Sequence, residues 1–215
     1  MNQEEIALWG KITAGISHEM NNVLAIINES NGLIQDIMKS NREGPTKHQD
    51  KMVQAMEMIN RQINRGVEIS NSLNRFAHST DEATKNINPN EISNQVNFLL
   101  ERFAGQRHVE LDYIGSEQER AFYSNPFRLI LTLAGIIYHL LDKTQALKKI
   151  SLRSYVQDGQ VQFEIGLIPS PERSLEGVPR REYFSFLDDA LKDLEAELHS
   201  DAGNIFQLKI HSKDI

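Results

Sequence analysis

The sequence predicts an α+β protein: an N-terminal antiparallel helical hairpin followed by an α/β sandwich. Three observations predict it. Helical periodicity runs from residue 3 to about 39 and again from about His48 to Ser79, broken only by the short stretch "SNREGPT". A polar stretch, "STDEATKN", then precedes a fresh helix start at Asn88-Pro89-Asn90-Glu91. Beyond it, short apolar segments of strand type alternate with helical ones.

The first two helices are joined at Gly44-Pro45 by too short a loop for any arrangement but antiparallel, which gives a hairpin roughly 50 Å long. On the second helix Met52, Met56, Ile59, Ile63, Val67, Ser70, Leu73 and Ala77 form one stripe. A single hairpin covers only part of such a stripe, so a dimer forming a four-helix bundle is expected. The expected domains are 1–82, the dimerisation hairpin, and 83–215, the α/β domain. In the latter the expected order is helix (about 89 to 105), strand (His108 to Ile114), helix (Pro126 to about Leu147), two strands either side of Asp158-Gly159, helix (about Arg181 to His199) and strand (Ile205 to His211).

Composition narrows the function. Among 215 residues, 30 acidic side chains against 23 basic ones give a net charge of −7 with no basic run, which argues against nucleic acid as a partner. The chain has no cysteine, so disulfides, thiolate zinc sites and thiol nucleophiles are excluded. The longest nearly apolar run, Leu129 to Leu141, is too short to span a bilayer, and "MNQEEIALWG" lacks the order of a secretion signal. A soluble cytoplasmic protein with no membrane contact is expected.

The stretch "GKITAGISHEMNNVLAII", residues 10 to 27, sets His18 in a regular helix. At about 100° per residue, Trp9, Ile16, Met20, Val23, Ile27, Ile34 and Met38 lie roughly 140° to 200° from His18, so the apolar stripe is opposite it. Lys11, Ala14, Asn22, Ala25 and Glu29 lie within roughly 40° of it, with Gly15 a little further round. A zinc-protease motif is excluded, because the position four residues on is Asn22 and that site requires a second histidine there.

This stretch resembles the phosphoacceptor motif of two-component sensor histidine kinases. "SNSLNRFAHS" is similar to the end of that family's hairpin, and "NPNEISNQVNFLLERFAGQRHVELDY" to the entry into its ATP-binding domain. The resemblance implies that His18 is the phosphorylated residue, Glu19 its acid/base neighbour and Asn22 an aid to phosphatase or transfer chemistry. Lys11, Ala14, Gly15 and Ala25 are the candidate partner-binding residues around it. Val23 stands where the family usually has proline, so less kinking is expected there. The residue types suit such chemistry: a neutral imidazole is a nucleophile near pH 7, a carboxylate can hold the ring's other N–H, and an amide can orient water or a phosphoryl oxygen.

The second domain departs from the family. "NPFRLILTLAGIIYHLLDK" aligns with the nucleotide helix, yet His139 stands at its Mg²⁺-holding Asn and Gly135 at the polar position one turn before. The Asp-x-Gly-x-Gly segment is replaced by "EIGLIPSPERSLEG", and no glycine-rich phosphate loop precedes "REYFSFLDDALKDLEAELH". ATP binding is therefore not expected. The combination resembles dimeric bacterial histidine phosphotransferases, which implies phosphoryl exchange between His18 and the aspartate of a response-regulator receiver domain. It also implies no cofactor of the chain's own, Mg²⁺ being brought by the receiver. The alternatives are a non-catalytic dimeric adaptor or antagonist, and a divergent active kinase or phosphatase. His48, His78, His108, His199 and His211 are expected to be solvated or helix-end residues, and Met52, Met56 and Met58 packing residues. Asp188, Asp189, Asp193, Glu195 and Glu197 are expected to form a solvated helix face.

Overall fold

A computed structural model describes residues 3–40, 48–115, 121–157, 160–201 and 204–211. The expected turns at Gly44-Pro45 and Asp158-Gly159 lie outside them. The chain divides into two compact units, one of Thr13–Arg75 and one of Met1–Ile12 with Phe76–Ile215. The expected boundary between 82 and 83 did not foresee that the first twelve residues count with the α/β unit.

Helices α1 (Gln3–Ser40) and α2 (Gln49–Ala77) form the hairpin. Across the hairpin Glu19 meets Arg65, and Val23 meets Gly66. Small residues line the seam: Gly15, Ala55 and Ser72 are buried, and a Cβ on Gly66 would have Val23 Cγ1 at 3.5 Å. Small side chains bring the helices close and turn the larger apolar ones aside. On α1 the buried residues Gly15, Ile16, Val23 and Ile37 lie roughly 60° to 160° from His18, about a sixth of a turn short of the expected stripe. Met38, expected inside, is therefore 64% exposed, and Ile37 takes its place. On α2 the buried residues are Ala55, Ile69 and Ser72, whereas Met56, Ile63 and Val67 of the expected stripe stay about half exposed.

In the α/β unit two helices open on Asn-Pro. Asn88 Oδ1 accepts from Asn90 N–H at 2.8 Å before α3 (Pro89–Gln106), and Asn125 Oδ1 accepts from Arg128 N–H at 2.9 Å before α4 (Pro126–Lys143). In each, proline at the first helical position costs no hydrogen bond, because that N–H has no partner inside the helix. The remaining strands are β1 (Lys85–Ile87), β2 (Glu110–Ile114), β3 (Phe122–Ser124), β4 (Leu147–Gln157), β5 (Gln160–Pro169), β6 (Ala196–Ser200) and β7 (Ile205–Ile210). β1 and β3 form a small antiparallel pair. The main sheet has the order β2-β4-β5-β7-β6, parallel only between β2 and β4. Alternate residues Val161, Phe163, Ile165 and Leu167 of β5 and Phe206, Leu208 and Ile210 of β7 are buried, as are most residues of α4, so the core lies between the sheet and its helices.

Three expectations are corrected. α4 stops at Lys143, because Thr144 leaves the helical region and Ala146 takes φ 58°, so Leu147 opens a strand. The helix expected from Arg181 to His199 is a 3-10 stretch (Arg181–Leu187), a short α5 (Asp188–Asp193) and then β6. Glu195, at φ 48°, ends the helical course and starts the strand in which Leu198 is buried and Glu197 and His199 are exposed. The short strands β1 and β3 had no counterpart in the sequence reading.

Candidate functional site

His18 and Asn22 are exposed one turn apart on α1, as are Ala14 and Ala25 on either side. Gly15 is not part of this open flank: it is buried, on the side of α1 that faces the hairpin seam. Lys11 is exposed, and its ammonium lies 5.2 Å from the centre of the Tyr138 ring, a cation–π contact within the α/β unit. An imidazole presented to solvent with its ring nitrogens unengaged by described residues is accessible as a nucleophile.

Glu19 points elsewhere. Lying about 100° round the helix from His18, it turns into the seam, where Oε1 accepts from Arg65 Nε at 2.9 Å and from Nη2 at 2.5 Å. Arg65 Nη1 lies 3.4 Å from Glu68 Oε2 as well. The sequence reading assigned Glu19 to the ring of His18 and missed Arg65. An arginine among Ala55, Gln62, Gly66 and Ile69 on the inner face of α2 was the available signal, because a charge on such a seam requires a partner.

In the α/β unit, the face of α4 that carries Arg128, Gly135 and His139 is covered by the chain itself. A Cβ on Gly135 would meet Leu8 Cδ2 at 3.4 Å, Leu187 Cδ2 at 3.5 Å and Phe186 Cε2 at 3.8 Å. The ring of His139 packs edge-on against Tyr138, Tyr183 and Phe186, with centroids 5.6, 5.5 and 4.9 Å away. Burial pushes its pKa below the ordinary histidine value; Asp142 and Glu4 oppose the shift, and Lys11 and Lys143 add to it. Arg128 holds fully buried Glu5 of α1 at 3.4 Å and Asp193 of α5 at 2.9 Å. Trp9 packs tilted against Phe76 and stacks on Phe127, at 4.2 and 5.9 Å between centroids. The first three turns of α1 thus lie along α4.

The acidic residues expected on one helix face are dispersed. Asp188 pairs with Arg181 at 2.7 Å, Asp193 with Arg128, and Glu197 with His199 at 3.0 Å on β6. Among the described residues no group of three or more His, Cys, Asp or Glu side chains could hold a metal ion, and no helix is long and apolar enough to cross a membrane. His78 pairs with Asp81, and His108, at φ 56°, ends α3.

No protein-family profile matches the chain, and none of the curated protein sequences does. Solved structures do. The histidine kinase AdeS of Acinetobacter baumannii aligns over 92% of this chain and 98% of its own, with a TM-score of 0.51 at 13% identity. Full-length ShkA, solved in complex with AMPPNP, aligns over 96% of this chain and 46% of its own, with a TM-score of 0.50 at 12% identity. The chain is thus histidine kinase-like in fold, a helical hairpin joined to an α/β domain that resembles the histidine kinase ATPase fold.

Proposed function

We propose that the chain is a histidine phosphotransferase of a two-component phosphorelay, exchanging a phosphoryl group between His18 and the aspartate of a response-regulator receiver domain without binding ATP. The exposed His18 on the hairpin of a histidine kinase-like fold supports the phosphoacceptor role. The observation that favours transfer over autokinase activity is the cover on α4: Leu8, Phe186 and Leu187 lie over Gly135, and aromatic rings enclose His139. A triphosphate with Mg²⁺ needs charged and amide groups free to meet it, whereas Leu8 and Leu187 lie over Gly135 and Arg128 is paired with Glu5 and Asp193.

In the transfer, a ring nitrogen of neutral His18 attacks the phosphorus of the receiver's aspartyl phosphate. An N–P bond forms, the P–O bond to the acyl carbon's oxygen breaks, and its electron pair leaves with the receiver's carboxylate. The other ring nitrogen keeps its proton, so the product is a cationic phosphohistidine that a neighbouring carboxylate stabilises. In this scheme Asn22, exposed one turn on, donates to a phosphoryl oxygen. The Mg²⁺ that screens the phosphoryl charge belongs to the receiver.

We further propose a cytoplasmic homodimer in which two hairpins form a four-helix bundle. Leu24 and Met38 on α1 and Met56, Ile63 and Val67 on α2 are about half exposed or more, an apolar area that a second hairpin would cover.

Incubation with radiolabelled ATP alone, and separately with a phosphorylated receiver, tests the assignment. Acid-labile label on His18 from the receiver only, lost in His18→Ala with the oligomeric state unchanged, is the expected result. Label from ATP alone would make the protein a kinase. Transfer retained in His18→Ala would remove His18 from the role, and a partner bound without any transfer would make the chain an adaptor.

A further inference from the structure

We infer that Asn31 of one copy and Asn60 of the other form an amide pair that sets the register of the hairpin dimer; this rests on the homodimer proposed above. The hairpin seam uses only part of each helix. On α2 the buried residues are Ala55, Ile69 and Ser72, yet Val53, Met56, Asn60, Ile63 and Val67 follow one another at steps of three and four, roughly 120° to 200° round the helix from Ile69. The four apolar members of this run are each about half exposed. On α1 Met20, Leu24, Ile27, Asn31, Ile34 and Met38 form a second such run, roughly 160° to 240° from His18. Each run lies beyond the seam in the same rotational sense. On antiparallel helices that puts both on one face of the hairpin, the face away from His18.

A second copy fits this face. Neither run holds a charged residue, although Glu29 and Asp36 of α1 and Glu57, Arg61 and Arg65 of α2 fall within the same stretches of chain. Asn31 and Asn60, both exposed, are the single polar residue of each run. An amide both donates and accepts, so two amides satisfy each other where a charge would need its opposite. The two also stand level. Val23 packs on Gly66, and eight residues on from the one and six back from the other, at about 1.5 Å per residue, bring Asn31 and Asn60 to within about 3 Å of the same height. With the two-fold axis along the bundle, α1 of one copy lies over α2 of the other, and level positions face each other. The dimer then holds two amide pairs in an otherwise apolar interface. A slip of one turn would set every amide against methionine, leucine or isoleucine with its hydrogen bonds unmade, which singles out one alignment.

The chain has no cysteine, so introduced thiols report only their own neighbours. Full-length Asn31→Cys and Asn60→Cys are oxidised separately, and again after refolding as an equal mixture. A covalent species of doubled mass in the mixture alone is expected. Cross-linking of Asn60→Cys by itself would show that Asn60 meets its own duplicate and would overturn the pair. So would an uncrosslinked mixture when wild type sediments as a dimer; either result leaves the dimer standing. Wild type sedimenting at 24.6 kDa would end the dimer and the inference together. Sedimentation of the alanine variants gives a second reading. Asn31→Ala and Asn60→Ala are each expected to raise the dimer dissociation constant about 10-fold or more, by leaving the other amide unpaired, and the double variant no further than the larger single effect. Multiplying effects would make the two residues independent and refute the pair. Asn31→Leu with Asn60→Leu is expected to associate more tightly yet to sediment as a mixture of species. A tighter dimer that stays homogeneous would show that other residues set the alignment.

Discussion

Gly135 lies at the centre of the cover on α4, and replacing it with alanine should stabilise the protein. An alanine methyl there would sit 3.4 Å from Leu8 Cδ2, 3.5 Å from Leu187 Cδ2 and 3.8 Å from Phe186 Cε2, all ordinary contact distances. Relief of the glycine penalty inside a helix contributes about 1 kcal/mol. Burying one methyl against three side chains adds up to about 0.8 kcal/mol. A gain of about 1.5 kcal/mol corresponds to a rise of roughly 3–6 °C in Tm for a protein of this size. Asparagine, the kind of polar residue a nucleotide helix would carry, reverses the sign. Its amide extends beyond the methyl into Leu8 and Leu187, and overpacking together with a poorly solvated amide costs about 2–4 kcal/mol. Guanidinium melts followed by Trp9 fluorescence read the effect locally, because Trp9 packs against Phe76 and Phe127 in the same unit. A destabilised Gly135→Ala, or a neutral Gly135→Asn, would show that Leu8 and Leu187 do not lie over this position.

Acid should weaken the α/β unit through His139. Its folded pKa lies below the unfolded value of about 6.5, so as pH falls through 6.5 the unfolded chain binds the proton first and stability drops until the lower folded pKa is reached. His139→Phe removes this share while keeping an aromatic ring against Tyr183 and Phe186; the stability difference between variant and wild type should grow from pH 7.5 to pH 5 in parallel urea melts, and a difference constant with pH would refute the assignment. For the dimer, Ile63→Glu with Val67→Glu places two charges on the half-exposed stripe of α2 and should yield a 24.6 kDa species by sedimentation equilibrium with unchanged far-UV signal; an unaltered mass in the double variant would place the interface elsewhere.

The hairpin was legible in the sequence because a period of 3.6 over more than sixty residues has few competing explanations. Which face it buries was less so. Gly15, Gly66, Ala55 and Ser72 contribute little to an apolar count, yet their small size draws the helices together and sets the rotation that exposes Met38 and buries Ile37. The error between Arg181 and His199 has a similar origin. Leu187, Leu191, Leu194 and Leu198 fit a helical spacing, while Leu194, Ala196 and Leu198 also alternate as a strand does, and the choice is made by Glu195 at φ 48°. β1 and β3, of three residues each, carry too few side chains for any pattern. At the site, the exposure of His18 followed from angles along one helix. The engagement of Glu19 by Arg65 depends on how α2 slides against α1, which single-helix periodicity does not contain.

α1 runs unbroken for 38 residues, and its first turns supply Glu5, Leu8 and Ile12 to the interior of the α/β unit. Modular proteins recombine at exposed linkers, where a crossover severs few contacts. Here a crossover at the hairpin's start would leave one product without three buried side chains and the other with them stranded in solvent. A chimaera that exchanges the hairpin must therefore carry the matching surface of α4 with it.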